Sequence, residues 1–251
     1  SLEDLLELLA GKKMVLIDTA GMAQRDVRAQ ELLAMISHAA VRRLLVLNAA
    51  STIQNRGTWT ESSGDVISSS ADLQGLVENT GLFIKTGANT TTFNYYNSPR
   101  FSNTGTVDVQ QGTLQLNHKL TQHSGSTLTG GTWIVRSGAT LREDYTTSYT
   151  TNQADVTLYG TGDFSPLNTL TTNAGTLRLL DGKTWNTAAA FTNSGTLDIQ
   201  SGSVDANSSS FTQSGTLILG TGTTLSRAAG LTNTGIVQGN GAIDVGSGTF
   251  T

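Results

Sequence analysis

The chain has 251 residues, is 37% hydrophobic and 14% charged, lacks cysteine and carries a formal net charge of -4. This composition is typical of a globular protein, excludes disulfides, thiolate metal sites and thiol catalysis, and leaves no basic surface for a nucleic-acid backbone. No apolar run reaches the roughly 18 residues of a membrane span, so we expect none. The opening SLEDLLELLAGKK is the reverse of a secretory signal, so we expect any export signal outside this chain.

Residues 1–50 differ in composition from the remaining chain, because they contain all three methionines and only two of the 28 glycines. Their pattern predicts an amphipathic helix over Leu2 to Leu9, a buried strand MVLID, a second helix from about Gln24 to His38, and a second strand RRLLVLN. This order indicates a βαβ unit with a parallel strand pair. The sequence therefore predicts a truncated α/β segment over 1–50 and a different domain over 51–251.

The stretches KKMVLIDTAGMAQRD and VRRLLVLNAA resemble an internal part of a signal-recognition-particle-type GTPase, closest to the flagellar-placement branch. The resemblance implies that Asp18 and Gly21 correspond to residues that close over the γ-phosphate and magnesium. The chain has no G-x-x-x-x-G-K-[ST] loop before them and no [TN]-K-x-D after them. We therefore predict no bound cofactor. Three hypotheses for the segment remain: a cap for the first coil of the following domain, a fusion, or a remnant that still binds nucleotide.

Residues 51–251 repeat the motif N-x-G-x-Φ-x-Φ, where Φ is apolar, at steps of 20 to 26 residues. The glycine position is occupied by Gly57, Gly81, Gly105, Gly131, Ala154, Gly175, Gly195, Gly215 and Gly235. The residue two positions later is always apolar: Trp59, Phe83, Val107, Trp133, Val156, Leu177, Leu197, Leu217 and Val237. A further glycine follows seven positions after the first in six repeats: Gly64, Gly112, Gly138, Gly182, Gly202 and Gly222.

A short strand at this period, bounded by glycine turns, predicts a mainly β protein, a right-handed parallel β-helix (β-solenoid) of about nine coils. Stacking coils at about 4.8 Å would place each apolar residue on its equivalent in the next coil. We expect the asparagine to bond the backbone of the next coil, and the glycine two residues later to supply a positive φ at the bend.

The phrases FSNTGTVDVQQGTLQL and FTNSGTLDIQSGSV resemble the degenerate repeats of bacterial exported β-solenoids, such as autotransporter passengers and filamentous-adhesin-like surface proteins. The resemblance covers about 200 residues and implies an extracellular or cell-surface location. Such repeats build adhesins, matrix components and polysaccharide-active enzymes, so the resemblance is specific for architecture and much less so for function.

Two insertions, 89–101 and 141–153, bring aromatic and charged residues together, a combination that suits sugar binding. The candidate sugar-binding residues are Tyr95, Tyr96, Arg100, Arg142, Tyr145 and Tyr149. The alternative is that both insertions are solvated loops. His118 and His123 have no carboxylate or cysteine at ligand spacing and are predicted to lie on the surface, and the glycine-rich phrases GTGDF and GNGAIDVG do not match calcium-binding repeats. No metal site is predicted.

These observations predict a structural or adhesive surface protein that is not an enzyme and whose partners are surface glycans or another cell-surface component. A carbohydrate-binding or polysaccharide-cleaving β-helix is the alternative, and nucleotide binding by residues 1–50 is a third hypothesis. The sequence predicts no oligomeric state.

Overall fold

The computed structural model describes residues 44–47, 52–62, 64, 66–69, 75–93, 99–117, 120–144, 146–187, 189–205 and 209–251. The helices and the MVLID strand predicted within residues 1–41 lie outside these ranges. The described chain is a parallel β-solenoid, as predicted, in which each coil passes in turn through three faces.

Among the described residues, nine parallel strands form the first face, and they are linked by eight turns of the solenoid. In sequence order they are β3 (Thr58–Glu61), β6 (Leu82–Lys85), β9 (Thr106–Val109), β13 (Thr132–Val135), β16 (Asp155–Tyr159), β18 (Thr176–Leu180), β21 (Thr196–Ile199), β24 (Thr216–Leu219) and β27 (Ile236–Gly239). The sheet has no interruption from β3 to β27.

The second face consists of two sheets of the described strands. The five-stranded sheet contains β1 (Leu44–Leu47), β4 (Val66–Ser69), β7 (Thr90–Phe93), β10 (Thr113–Gln115) and β14 (Thr140–Arg142). The four-stranded sheet contains β19 (Lys183–Asn186), β22 (Gly202–Asp205), β25 (Thr224–Ser226) and β28 (Ala242–Asp244). Between the two sheets, Asp163 pairs with Thr140 in an isolated parallel β-bridge. The chain then forms a 3-10 helix, Ser165–Thr169, in place of a strand.

The third face is likewise interrupted once. Its three-stranded sheet contains β2 (Thr52–Asn55), β5 (Leu76–Asn79) and β8 (Arg100–Asn103). Its seven-stranded sheet contains β11 (His123–Ser124), β12 (Thr127–Leu128), β15 (Thr151–Asn152), β17 (Thr172–Asn173), β20 (Phe191–Asn193), β23 (Phe211–Gln213) and β26 (Leu231–Asn233). At the interruption, β11 and β12 form a small antiparallel hairpin.

The predicted apolar column is confirmed in all nine coils. Trp59 pairs in register with Phe83, and the register continues without a slip to the pairing of Leu217 with Val237. The seven inner members are at most 1% exposed, whereas Trp59 and Val237 at the two ends are partly buried. Each coil therefore buries its apolar residue against the coils on both sides, which one coil alone could not do.

Buried asparagines form two ladders along the solenoid. Nδ2 of Asn55 donates to Oδ1 of Asn79 at 2.7 Å, and Asn79 donates to Asn103 at 2.8 Å. The second ladder runs from Asn152 through Asn173 and Asn193 to Oε1 of Gln213, with distances of 2.7 to 2.8 Å.

The same amides also donate to the backbone of the next coil, as predicted. One example is the 2.9 Å bond from Nδ2 of Asn79 to the carbonyl oxygen of Thr106. The side-chain-to-side-chain bonds were not predicted. Together the two kinds of bond satisfy amides that would otherwise be costly to bury.

The role predicted for the first glycine of the motif is wrong. Gly131 is the one residue of that column with a positive φ, of 83°. At Gly81, Gly105, Gly175, Gly195, Gly215 and Gly235, an added Cβ would lie 2.0–2.3 Å from a carbonyl oxygen of the preceding coil. Glycine is therefore needed there because two backbones pack directly against each other. The second glycine of the motif has a positive φ in all six repeats and makes the turn.

The strand predicted over RRLLVLN is described in part, whereas its predicted βαβ partner MVLID lies outside the described residues. The Leu44–Leu47 section of RRLLVLN is β1, which pairs in parallel with β4 of the solenoid. By its internal contacts the chain divides into two units, Ser1–Val41 and Arg42–Thr251, and the second contains the solenoid. The sequence predicted this boundary after residue 50. A run of apolar residues such as LLVL is typical of a strand in a parallel sheet, but it does not specify which sheet the strand joins.

One charged side chain lies fully inside the C-terminal part of the solenoid. Arg227 is 0% exposed, its guanidinium lies 4.7 Å from the centroid of the Phe211 ring, and Nη1 is 3.3 Å from the hydroxyl of Thr187. Among the described residues, Nε and Nη2 have no hydrogen-bond partner. Burial lowers the pKa of Arg227 to about 10, and the charge of Asp205 opposes this shift.

Candidate functional site

The insertion at 141–153 and the β11–β12 hairpin meet in a cluster of His123, Glu143 and Tyr149, which we call the His–Glu–Tyr cluster. His123 begins β11, and Glu143 directly follows β14. Nδ1 of His123 lies 2.8 Å from Oε1 of Glu143, and the Tyr149 hydroxyl donates to Oε2 of the same carboxylate. The His123 and Tyr149 rings are 5.2 Å apart and meet edge to face.

The surroundings of His123 favour its protonated form. Nε2 lies 2.7 Å from the carbonyl oxygen of Gly125, so both ring nitrogens face acceptors and both are donors in the imidazolium. Burial by itself lowers the pKa of His123. The hydrogen bond and charge of Glu143, with smaller effects from Gly125 and Asp144, outweigh burial and raise that pKa above 6.5.

The other two members of the cluster are enclosed in the fold. The Glu143 side chain is 2% exposed and Tyr149 is 0% exposed. Burial, followed by the adjacent Glu143 carboxylate, raises the pKa of Tyr149, so the phenol stays protonated and donates its hydrogen bond. The cluster thus fastens the hairpin to the 141–153 insertion through one buried carboxylate.

Two sequence predictions are corrected by this geometry. Tyr149 was predicted to bind sugar, but its buried ring has no face open to a ligand. His123 was predicted to lie on the surface, with no carboxylate or cysteine at ligand spacing in the sequence. It is instead half-buried and bonded to Glu143, which is 20 residues away in sequence.

Asp144 organises the turn after the cluster. Its Oδ1 accepts from the backbone N–H of Thr146 at 2.9 Å and from that of Thr147 at 2.6 Å. Burial raises the pKa of Asp144, but the bonds from Thr147 and Thr146 outweigh it and lower the pKa below its usual value. This carboxylate therefore shapes the loop.

Of the remaining candidate sugar-binding residues, the structure describes only the two arginines, and they lie on different faces. Arg100 is exposed on β8 of the third face, whereas Arg142 is half-buried on β14 of the second face. Tyr95, Tyr96 and Tyr145 lie outside the described residues, as do His118 and the Asp18 and Gly21 of the GTPase-like motif. Sugar binding by these tyrosines and nucleotide binding by residues 1–50 therefore stay predictions.

A cleft of about 290 Å³ opens where the second face is interrupted. It lies between residues 163–168, which contain the 3-10 helix, and β19, and we call it the second-face cleft. Its residues are Leu158, Asp163, Phe164, Leu167, Asn168, Lys183, Thr184, Trp185 and Asn186. Phe164, Leu167 and Trp185 are at most 5% exposed and form an apolar floor, while Asn168, Thr184 and Asn186 are exposed at the rim.

Two opposite charges lie at this cleft. Nζ of Lys183 donates to the carbonyl oxygen of Gly162 at 2.6 Å, and the Asp163 carboxylate is close enough to affect the lysine. Burial lowers the pKa of Lys183, and Asp163 opposes this change. The cleft therefore offers a donor and an acceptor of opposite charge above an apolar floor.

Sequence reasoning missed the cleft, although the sequence contains a signal for it. Pro166, one of two prolines in the chain, lies in the first turn of the 3-10 helix. Proline has no N–H and cannot join a sheet ladder, so it prevents a regular strand at this place. An interruption of the second face could thus have been predicted, but its opening into a cleft could not.

In the part of the chain that the structure describes, no group of three or more His, Cys, Asp or Glu side chains is arranged to hold a metal ion. Within the same residues, no helix is both long enough and apolar enough to cross a bilayer.

Comparison with known proteins gives no relative for this chain. No protein-family model matches it, and neither does any curated protein or solved structure.

Proposed function

We propose that the solenoid is a structural or adhesive module that acts at the cell surface or outside the cell and has no catalytic activity. The observation that carries this proposal is the contrast between the inside and the outside of the first face. Its inner column is apolar in all nine coils and keeps one register. Its outer positions change from coil to coil, as in Asp108, Ile134, Arg178 and Ile218.

Such a scaffold suits presentation of a surface. The uniform interior and the asparagine ladders maintain the shape of the coils, so outward residues can vary without loss of the fold. Ion pairs between coils add to this framework. Arg136 contacts Asp108 through two bonds of 2.9 and 3.1 Å, and Arg178 contacts Asp155.

The arrangement of acids supports a non-catalytic role. Most sites that hydrolyse polysaccharides use a carboxylic acid as proton donor and a second carboxyl group, on either side of an accessible bond. Glu143 instead has both carboxylate oxygens engaged by His123 and Tyr149 and is enclosed in the fold.

An attachment assay tests the proposal. Beads coated with the full chain are added to bacterial and animal cells, and attached beads are counted beside beads that carry a Leu197→Asp chain with a disrupted core. Attachment by the unmodified chain alone supports an adhesive module. Release of reducing ends from a polysaccharide panel by the unmodified chain, abolished by Glu143→Gln, would contradict the proposal.

A further inference from the structure

The second-face cleft results from one irregular coil. In the coils before it, the chain continues from the first face into a strand on the second face, as β13 leads to β14. After β16 only Asp163 joins the neighbouring ladder, through the backbone bonds Asp163 N to Ala139 O and Leu141 N to Asp163 O. The 3-10 helix that follows is not part of the five-stranded sheet. In the next coil, β19 begins the four-stranded sheet by pairing with β22.

The lining of this cleft is chemically mixed. An apolar ligand would contact the floor of Phe164 and Trp185 but would make no use of the rim amides and the Thr184 hydroxyl. A ligand with a net charge would encounter a like charge, because Asp163 and Lys183 are both at the cleft. The ligand that matches both parts is neutral, carries several hydroxyl groups and has one apolar face.

Sugar rings have this combination of properties. Their C–H groups form an apolar face, while their hydroxyls extend sideways toward amide, hydroxyl and charged partners. The volume of about 290 Å³ lies near the lower end of the roughly 300–1,000 Å³ range for small-molecule sites. It suits one or two sugar units.

We propose that the second-face cleft is a binding site for a neutral saccharide of one or two units, with Asn168, Lys183, Thr184 and Asn186 holding its hydroxyls above the floor of Phe164 and Trp185. This inference rests on the adhesive function proposed above and names the ligand class for it. It places sugar binding at residues other than the candidates predicted from the sequence.

A titration with neutral mono- and disaccharides tests the assignment. Binding is followed by saturation-transfer NMR in every variant. In the unmodified chain it is also followed by tryptophan emission, which we expect to change because Trp185 lines the cleft. Thr184→Trp fills the rim. Its matched control is Ser203→Trp, since Ser203 is the register partner of Thr184 in β22 and lies outside the cleft.

We expect saturable binding of at least one saccharide by the unmodified chain and by Ser203→Trp. Thr184→Trp should weaken it about tenfold or more, and Asn168→Ala, which removes one exposed amide, about fivefold. Thermal unfolding of each variant verifies that the fold is retained. Absence of saturation with every saccharide overturns the assignment, as does equal weakening by Thr184→Trp and Ser203→Trp.

The attachment assay separates this inference from the proposed function. Beads that attach although no saccharide binds the cleft would leave the adhesive function standing and remove the cleft assignment. Saccharide binding that Thr184→Trp abolishes, together with beads that never attach, would support the cleft and contradict the adhesive function.

Discussion

The coils from β18 onward and the coils between β8 and β17 share one first face but differ in their other two faces. From β18 onward the second and third faces both have regular strands, and the motif repeats every 20 residues. Between β8 and β17 the third face contains an antiparallel hairpin and the second face contains a 3-10 helix. The His–Glu–Tyr cluster and the second-face cleft both lie in or beside the irregular region.

This difference shows that the two regions are held together by different interactions. The regular coils depend on repetition, because each apolar residue, asparagine and glycine contacts its own equivalent in the next coil. The irregular coils depend on single contacts between residues of unlike type, such as the bonds of Glu143. Substitutions can test this difference through the stability of the fold. In the regular region a substitution should disturb the contacts between equivalent residues of successive coils, whereas in the irregular region it should disturb one local contact.

The largest expected effect is that of Leu197→Asp in the regular region. Leu197 is 0% exposed and lies in register between Leu177 and Leu217. A buried carboxylate without a partner should lower the free energy of unfolding by at least about 3 kcal/mol in urea denaturation. Asp198→Asn, at the adjacent outward position, should change it little. Equal losses in the two variants would contradict the register.

Gly195→Ala should be next in magnitude. The added Cβ would lie 2.0 Å from the carbonyl oxygen of Gly175, and because this obstacle is backbone, the coils must separate. We expect a loss of about 3 kcal/mol, the upper end of the range for overpacking. Gly57→Ala is the control at the same motif position, since no described residue lies within 4 Å of its added Cβ. The steric explanation fails if both variants melt alike.

Asn173→Ala should lower the free energy of unfolding by about 2 kcal/mol, because it removes the acceptor of Asn152 and the donor to Asn193 inside the protein. Asn233→Ala is the comparison, since Asn233 is half-buried in β26. Chemical denaturation should show a clearly smaller loss for Asn233→Ala. An equal loss of unfolding free energy would mean that the buried side-chain bonds of the ladder add no stability beyond that of a half-buried asparagine.

The contribution of His123, in the irregular region, to the stability of the protein should depend on pH. The folded protein raises the pKa of His123, so its stabilising effect is complete below about 6.5, the value for the unfolded chain. The effect is lost as pH rises through the higher folded value. The difference in melting temperature between the unmodified chain and His123→Gln should therefore shrink as pH rises above 6.5. A difference that grows over this range would show that the imidazolium is not the stabilising form.

The smallest expected effect is that of Arg227→Met. Arg227 is fully buried, and two of its nitrogens bond to none of the residues that the structure describes. Its nearby charge Asp205 is exposed, so within the same residues no buried carboxylate loses a partner. An apolar side chain of similar length should leave the melting temperature unchanged or raise it slightly. Arg227→Ala should lower it, since a cavity would form beside Phe211. A large loss with Met would show that the cation contributes more than its packing.

The sequence was sufficient to predict the first face, because an apolar residue at a fixed distance from a glycine defines both the strand and its register. The reason for that glycine could not be read from the sequence, since a positive φ and a close backbone approach select the same residue. Tyr149 was misassigned for a related reason. An aromatic residue in a polar loop looks like a surface ligand until the fold brings Glu143 and His123 beside it.

The asparagine ladders also give the stack a direction. Each described amide donates toward the following coil, from Asn55 to Asn79 and from Asn152 to Asn173, so the bond dipoles are aligned along the stacking axis and polarise one another. A coil stacked in the reverse sense would bring donor against donor or acceptor against acceptor. The apolar column does not distinguish these two senses, because leucine packs on leucine either way. The amides therefore make the order of the coils one-way.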